Sequence, residues 1–506
     1  MTGSLFQGLL YTFNDSSPKP TKTAISMSNF FSGTGTLSAT PVSYDSNAQR
    51  IFSVDVLRGV ALLGILIISI WEFGGFSMNE QTGLQLSGKG FHYNLFASIS
   101  ILFEGKMRAL FSLIFGAGIM LFLTRPNQLS LANTHELYIR RQMWLMAFGL
   151  VNAFVLLWPG DILFQYGVMG ILLFPFFRMS RKGLLIAAII ATLFYSGKMY
   201  WNYADDKKTL SKYKAVMLIE DKFKKDSTAR HNKDSMAGMP KDSLRIRDSI
   251  GKKTDTLNKI QQQDKRAWEG MVKNLKYDST KAGVKEENKA MRSGYGKVWD
   301  HVLRRSQTKE SVWLYKIGVW DIGSLMLLGM ALLGYGFFGS NYSKTKYLLF
   351  ALIGIAAGFL LAWGRFEMNH HKLMDYEKYI GKNFIPPNQF FPVERLLMAV
   401  GYASLIMWFI RINILQWLWG ALGAVGRMAF TNYLMQTVIC TLFFYGYGFG
   451  YFGRLSQKEL YFLVAEIWLV QTVFSVLWLR FYEYGPVEWL WRWLSYGKRF
   501  PNKKKT

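Results

Sequence analysis

Asp55 and Arg58 stand three residues apart at the start of a long apolar run, an acid and a base on one face of a helix's first turn. Arg140, Arg141 and Arg427 hold comparable positions at the ends of other apolar runs. Arginine forks match phosphate geometry, so Asp55, Arg58, Arg140, Arg141 and Arg427 form a candidate site for an anionic ligand. Helix anchoring explains the same residues without a ligand, Asp55 at a helix N-terminus and the arginines reaching toward headgroups. A second polar set, Glu72, His92, Glu104, Lys106, Arg108, Asp161, Asp321, Glu394 and Arg395, lies within or beside apolar runs at their opposite ends. Charged groups are costly in lipid and face a bundle interior or cavity. His92, Glu104, Asp161 and Asp321 are therefore candidate general bases, and Lys106, Arg108, Glu394 and Arg395 candidate substrate contacts. Glu104 and Arg108 are spaced to pair along one helix, and Asp161, after Trp158-Pro159-Gly160, is placed to cap the next. Asn152, Gln165 and Gln436, with Gln471, lie nearer the middle, where interhelical hydrogen bonds compete with substrate contacts. Asn152 or Gln436 is a candidate oxyanion donor.

The elements that must position these residues are membrane helices. Runs such as 60–70, 110–123, 184–195 and 347–363, with their flanks, have the length that crosses a hydrocarbon core of roughly 30 Å. The fold class is all-α polytopic membrane protein, with about ten transmembrane helices. The expected spans are 53–72, 96–123, 141–158, 161–178, 182–201, 315–337, 346–364, 391–411, 428–446 and 460–481. Residues 485–496 carry three tryptophans beside Arg492 and are too short to cross, which predicts a C-terminal interfacial helix.

Four regions follow. Residues 1–50, rich in Ser, Thr, Gly and Asn without apolar periodicity, predict a disordered cytoplasmic tail. Residues 51–201 form a first membrane block of five helices, 202–310 a polar extracytoplasmic insertion, and 311–506 a second block of five helices, the interfacial helix and a basic tail. The insertion is Lys-, Asp- and Ser-rich and poor in aromatics before Trp268, so partly helical or disordered structure is expected over a packed domain. A solvated insertion and a module for a periplasmic partner are its two readings.

Every short loop rich in Lys and Arg falls on one side of this arrangement, joined by the basic tail at 498–505. By the positive-inside rule both termini are cytoplasmic in a multi-pass protein of the bacterial inner membrane, and long domains cross regardless of their charge.

The net charge of +27 is spread over helix ends and the insertion with no nucleic-acid motif, which favours anionic lipid headgroups over nucleic acid as partner. The one cysteine, Cys440, excludes a disulfide framework and a cysteine metal site. No metal ligand set and no permanently bound cofactor is expected.

Ser53-Val-Asp-Val-Leu-Arg-Gly-Val-Ala-Leu-Leu-Gly-Ile-Leu resembles the opening motif of the YeiB-like (DUF418) family of bacterial membrane proteins. Three further blocks carry the resemblance. They are Glu104-Gly-Lys-Met-Arg-Ala-Leu-Phe-Ser-Leu-Ile-Phe-Gly-Ala-Gly; Gly160-Asp-Ile-Leu-Phe-Gln-Tyr-Gly; and Gly426-Arg-Met-Ala-Phe-Thr-Asn-Tyr-Leu-Met-Gln continuing to Tyr484-Gly-Pro-Val-Glu-Trp-Leu-Trp-Arg. The resemblance implies a ten-helix fold similar to the transmembrane acyltransferase superfamily, which moves acyl groups across membranes from coenzyme A. Ser69 stands where many relatives have Asn, and Asn152 where a number have His. Acyl relay in that superfamily uses a histidine within the membrane, whereas His92, His135, His231, His301, His370 and His371 all lie outside the depth of a span.

The leading expectation is acyl transfer, with acyl-CoA as cytoplasmic co-substrate held by the arginines and an outer-leaflet or periplasmic hydroxyl or amine as acceptor. A transporter or flippase of a lipid-like or anionic molecule, without covalent chemistry, is the alternative, and a structural scaffold the third class.

Overall fold

The computed structural model describes residues 51–124, 131–236, 257–339, 342–382 and 385–504. The expected tail over 1–50 lies outside the described residues. Everything described is helix, turn or loop, apart from one isolated bridge between Tyr482 and Lys503.

Helix α1 (Phe52–Gly74) is apolar along nearly its whole length and stops at Gly75, whose φ of 75° is open to glycine at little cost. After the short α2 (Met78–Ser87), α3 (Phe91–Leu102) and α4 (Lys106–Leu123) make one apolar rod, interrupted at Gly105, where φ is 73°. Helices α5 (Leu131–Phe154) and α6 (Leu163–Leu172) are joined by a loop carrying Asp161. Helix α7 (Arg181–Met236) runs 56 residues without a break. At 1.5 Å per residue that is about 84 Å, far more than a bilayer core, so its Lys- and Asp-rich half stands outside the membrane. The boundary placed at 201 falls inside this helix.

The insertion continues with α8 (Lys259–Leu275), α9 (Ala282–Met291) and α10 (Tyr295–Thr308). It is better packed than its composition suggests. Trp268 of α8 is 2% exposed, in a small core with Tyr203 and Leu210 of α7 and with Tyr376, Tyr379 and Ile380. Trp268 stacks on Tyr376 at 5.3 Å. Helix α10 docks on the membrane block itself. Tyr295 Oη, Trp299 Nε1 and Ser306 Oγ donate to the carbonyls of Val155, Phe154 and Ala153, which end α5. The helix then loosens into a π-helical stretch, Lys309–Gly318, before α11 (Val319–Gly334).

The second block comprises α12 (Lys344–Met374), the short α13 (Tyr376–Lys382), α14 (Phe391–Ile412), α15 (Gln416–Arg427), α16 (Ala429–Phe444) and α17 (Gln457–Phe481). The chain closes with α18 (Pro486–Tyr496), the interfacial helix. Among the described residues seven helical segments are long and apolar enough to cross a membrane, two more (Leu163–Leu172 and Ala429–Phe444) are apolar but shorter, and α5 is a more charged tenth, so each expected span is helical.

Glycines permit two close crossings. A Cβ on Gly329 of α11 would fall 1.8 Å from the Leu113 carbonyl of α4, and one on Gly426 of α15 would fall 1.8 Å from the Asp55 carbonyl of α1. With no hydrophobic drive between helices in lipid, such backbone approach is a main source of their packing. The second crossing sets Arg58 beside Arg427.

Candidate functional site

A cavity of about 230 Å³ lies between α1, α4, α5, α6, α16 and α18. Arg58, Arg141 and Arg427 line it together, with Glu488 and Trp491 of the interfacial helix. Its walls are Phe111, Phe115, Ile119 and Phe122 of α4 and Leu145 of α5; Ile162, Tyr166 and Tyr433 also line it.

Three of the five predicted anion-binding residues therefore converge. Arg58 Nη1 lies 3.3 Å from Asp55 Oδ1, a long and partly exposed pair. Arg141 lies over the Trp491 ring at 4.0 Å and over Phe122 at 5.1 Å, and its carbonyl accepts from Trp491 Nε1. Arg427 Nη2 donates to the Glu483 carbonyl, while its buried Nε has no partner. Gln142, also in the wall and 5% exposed, has an unpartnered Oε1. Arg140 is not part of this group. One position around the helix from Arg141, it points outward and pairs with Glu136 across exposed surface.

Glu488 ties the interfacial helix to the cavity. Its carboxylate accepts from the backbone amides of Phe430 (2.7 Å) and Thr431 (3.0 Å) and from the Thr431 hydroxyl, capping the N-terminus of α16. Burial pushes the Glu488 carboxyl above its ordinary value, against the pull of those donors. The two halves of the most distinctive sequence block meet in this contact.

Beyond Tyr433 sits Asp161. It accepts from Asn152 Nδ2 at 2.7 Å, from the Phe164 amide at 2.9 Å and from Tyr433 Oη at 3.3 Å, so the expected capping of α6 is present. Tyr166 Oη shares a 2.6 Å hydrogen bond with Ser112.

The other charged set forms two interlocked groups at the insertion side. Lys106 Nζ meets Glu394 at 2.6 Å, and Arg365 bridges Glu394 (2.8 Å) and Glu104 (3.0 Å). Arg395 clamps Asp321 with both terminal nitrogens, and Arg108 adds a third contact at 3.2 Å. The expected Glu104–Arg108 pair does not form. Glu104 precedes the left-handed turn at Gly105 and so lies outside α4, on a face that meets α12 instead.

His92 lies apart from both groups, exposed at the start of α3 with Nδ1 3.2 Å from Gln457 Oε1. Gln436 donates to Gln471 Oε1 (3.0 Å), and Gln471 donates to the Asn432 carbonyl (2.7 Å), which joins α16 to α17 and leaves Gln436 a helix-packing contact. Gln165 is wholly buried with neither side-chain end bonded. Sequence reasoning missed Arg365, Glu310, Glu488, Tyr166 and Tyr433. Arg365 follows Trp363 within a long apolar helix, and the cost of a base there was the available signal. No group of three or more potential metal ligands occurs among the described residues.

Residues 332–498 match the model of the family described as "Protein of unknown function (DUF418)". That stretch contains Arg427, Tyr433, Glu488 and Trp491. Over its length the chain is similar to "Uncharacterized protein YeiB" of Escherichia coli (strain K12), 27% identical over 472 residues, covering 90% of this chain and 99% of that protein. It is also similar to "Uncharacterized protein YxaH" of Bacillus subtilis (strain 168), 27% identical over 474 residues, with 90% and 97% covered. No solved structure matches. With the opening motif at the α1–α15 crossing, the last block lining the cavity and relatives matched along nearly their full length, residues 332–498 are a DUF418 domain in a chain similar throughout to YeiB and YxaH.

Proposed function

We propose that the chain is a membrane-embedded acyltransferase-like protein that passes an acyl group from cytoplasmic acyl-CoA to an outer-leaflet or periplasmic hydroxyl or amine. The observation that carries this reading is the cavity with three arginines, apolar walls and a buried acid beyond Tyr433. Arg58, Arg141 and Arg427 suit the phosphates of the thioester. At about 230 Å³ the cavity is smaller than the roughly 300–1,000 Å³ that drug-sized ligands fill. It therefore takes the acyl end, with the phosphates at the arginines and the adenosine outside. The unpartnered Gln142 Oε1 suits an amide N–H of the ligand's arm.

In the reaction the acceptor oxygen or nitrogen forms a bond to the thioester carbonyl carbon, the carbon–sulfur bond breaks, and the sulfur leaves as thiolate. The acceptor's proton passes through Tyr433 to Asp161, and the thiolate takes a proton from water. Of His92, Glu104, Asp161 and Asp321, this reading keeps Asp161. Glu104 and Asp321 are held by cations and His92 is remote from the cavity lining. The basic-loop face, with both termini, is cytoplasmic in a bacterial inner membrane, and the insertion is periplasmic, free to meet a partner there. A reporter fused within 202–310 gives an extracytoplasmic signal; a cytoplasmic one removes the donor assignment.

A transporter of an anionic amphiphile is the second reading, favoured because Asp161 already accepts three hydrogen bonds and is engaged as a cap. Purified protein in liposomes, given acyl-CoA, separates the two. Thiol release with acyl-labelled product supports transfer, and amphiphile exchange between leaflets with the thioester intact supports transport. Absence of acyl-CoA binding by the wild type overturns the leading reading.

A further inference from the structure

Glu310 lies on the π-helical stretch between α10 and α11, a segment that packs against α6. It is 8% exposed, and neither carboxylate oxygen has a hydrogen-bond partner. Beside it is Gln165 of α6, fully buried, with Oε1 and Nε2 both unsatisfied; the two side chains are neighbours without forming a well-aligned bond. Asp161 is close enough to act electrostatically on Glu310, and its partner Asn152 has an unpartnered Oδ1. Buried polar groups are ordinarily satisfied, and one left over carries its full desolvation cost. Here both Glu310 oxygens and both ends of the Gln165 side chain are left over side by side, and Asn152 Oδ1 is left over on the far side of Asp161.

Lys309 acts on Glu310 electrostatically, but no cation among the described residues makes a hydrogen bond to either carboxylate oxygen. Lys309 carries its ammonium 4.6 Å from the centre of the Trp313 ring, and Arg108 lies 5.2 Å from the same ring while also binding Asp321. The π-helical register brings Glu310 inward on a stretch where Lys309 and Trp313 pair with each other. π-helical interruptions of α-helices are rare, and this one runs ten residues.

We infer that Glu310 and Gln165, with Asn152 Oδ1, form a binding site for a headgroup rich in hydrogen-bond donors, an ammonium or a set of hydroxyls. Four acceptors against one donor call for a ligand that presents N–H or O–H groups to them and keeps any phosphate away from the carboxylate. The site abuts Asp161, whose other neighbour, Tyr433, lines the cavity. Its identity as the acyl acceptor's site rests on the transfer reading; its preference for donors does not.

The test uses the full-length protein in detergent with three short-chain probes, dihexanoyl phosphatidylethanolamine, phosphatidylglycerol and phosphatidylcholine. They offer an ammonium, hydroxyls, and a cation without donors. The first or second binds at least about tenfold more tightly than the third, the ratio expected when a charge-assisted hydrogen bond is made or lost. Competition by free ethanolamine or glycerol, compared with the lipids, tells a soluble ligand from a lipid head. Glu310→Gln, close to isosteric, and Gln165→Leu each remove that preference while acyl-CoA binding stays as in the wild type. Equal binding of all three heads, no binding of the first two, or unchanged preference in both variants overturns the inference. Wild-type protein that discriminates among heads but binds no acyl-CoA loses the donor reading and keeps this site.

Discussion

The two polar layers of this molecule use the same residue types for opposite ends. At the insertion side Glu104, Lys106, Arg108, Asp321, Arg365, Glu394 and Arg395 answer one another, four bases and three acids within hydrogen-bond reach. On the basic-loop side Arg58, Arg141 and Arg427 line a cavity, with the Asp55 contact long and Glu488 directed to a helix end. Charges that satisfy each other fix helices in register; the proposed reading assigns the charges at the cavity to a ligand. On that reading the difference separates structural groups from proposed ligand contacts where burial and hydropathy alone do not.

The largest effect tests the paired layer. Removing one member of a buried network strands its partners, at about 3–5 kcal/mol. Asp321→Ala leaves Arg395 and Arg108 without their carboxylate, so folded yield and thermal stability in detergent collapse. Asp55→Asn at the cavity mouth leaves both close to wild type. A stable Asp321→Ala protein that has lost ligand binding would reverse the roles given to the two layers.

Next comes the cavity. Arg58→Lys and Arg427→Lys keep the charge and lose the fork, so acyl-CoA affinity measured by calorimetry falls by roughly 1.5–3 kcal/mol with stability little changed. Arg365→Lys in the paired layer shows the opposite pattern, with affinity retained and stability reduced. Equal affinity losses in all three would erase the distinction.

How far the sequence discloses this arrangement depends on the range of the interactions. The ten helical segments follow from apolar length, a local property, and Asp161 as a cap follows from its place after Pro159-Gly160. Convergence of Arg58 with Arg427 is signalled by basic helix ends on one face but depends on the Gly59–Gly426 crossing, which only tertiary packing reveals. The Glu104–Arg108 pair is absent because helical spacing does not carry across Gly105, where the helix breaks. Glu310 was hidden by its address at the end of a polar insertion, although α10 carries that stretch into the membrane block. The boundary at 201 is invisible in the fold because α7 changes solvent without changing conformation.

A smaller effect concerns Glu488. Its carboxyl is raised by burial, so the folded protein binds this proton more readily than the unfolded chain. Stability then falls as pH rises from the ordinary carboxyl value near 4.5 through the raised one. Thermal unfolding in detergent from acid toward neutral pH shows this slope in the wild type, and Glu488→Gln flattens it. Glu488→Ala removes the cap of α16 at about 0.5–2 kcal/mol and frees α18 to swing from the cavity, seen as altered Trp491 fluorescence. A pH profile unchanged by Glu488→Gln would assign the slope to other groups.

The smallest effect is the most discriminating within the predicted arginine set. Arg140 and Arg141 are adjacent in sequence and alike in charge, and only the helix's rotation separates them. Arg140 pairs with Glu136 at 2.7 Å on exposed surface, a type of contact typically worth about 0.2–1 kcal/mol and weakened by salt. Arg141 stacks on Trp491 in the cavity wall. Arg140→Ala therefore shifts stability by no more than a few tenths of a kcal/mol on the scale of exposed i,i+4 pairs and leaves acyl-CoA affinity intact. Arg141→Ala weakens both the ligand and the hold on α18. Because the two variants lose the same formal charge, any long-range electrostatic attraction of the anion to the basic face falls equally in both. Only contact within the cavity tells them apart. Matching losses of affinity at low salt that vanish together at high salt would mean that the basic face attracts the ligand without the cavity gripping it.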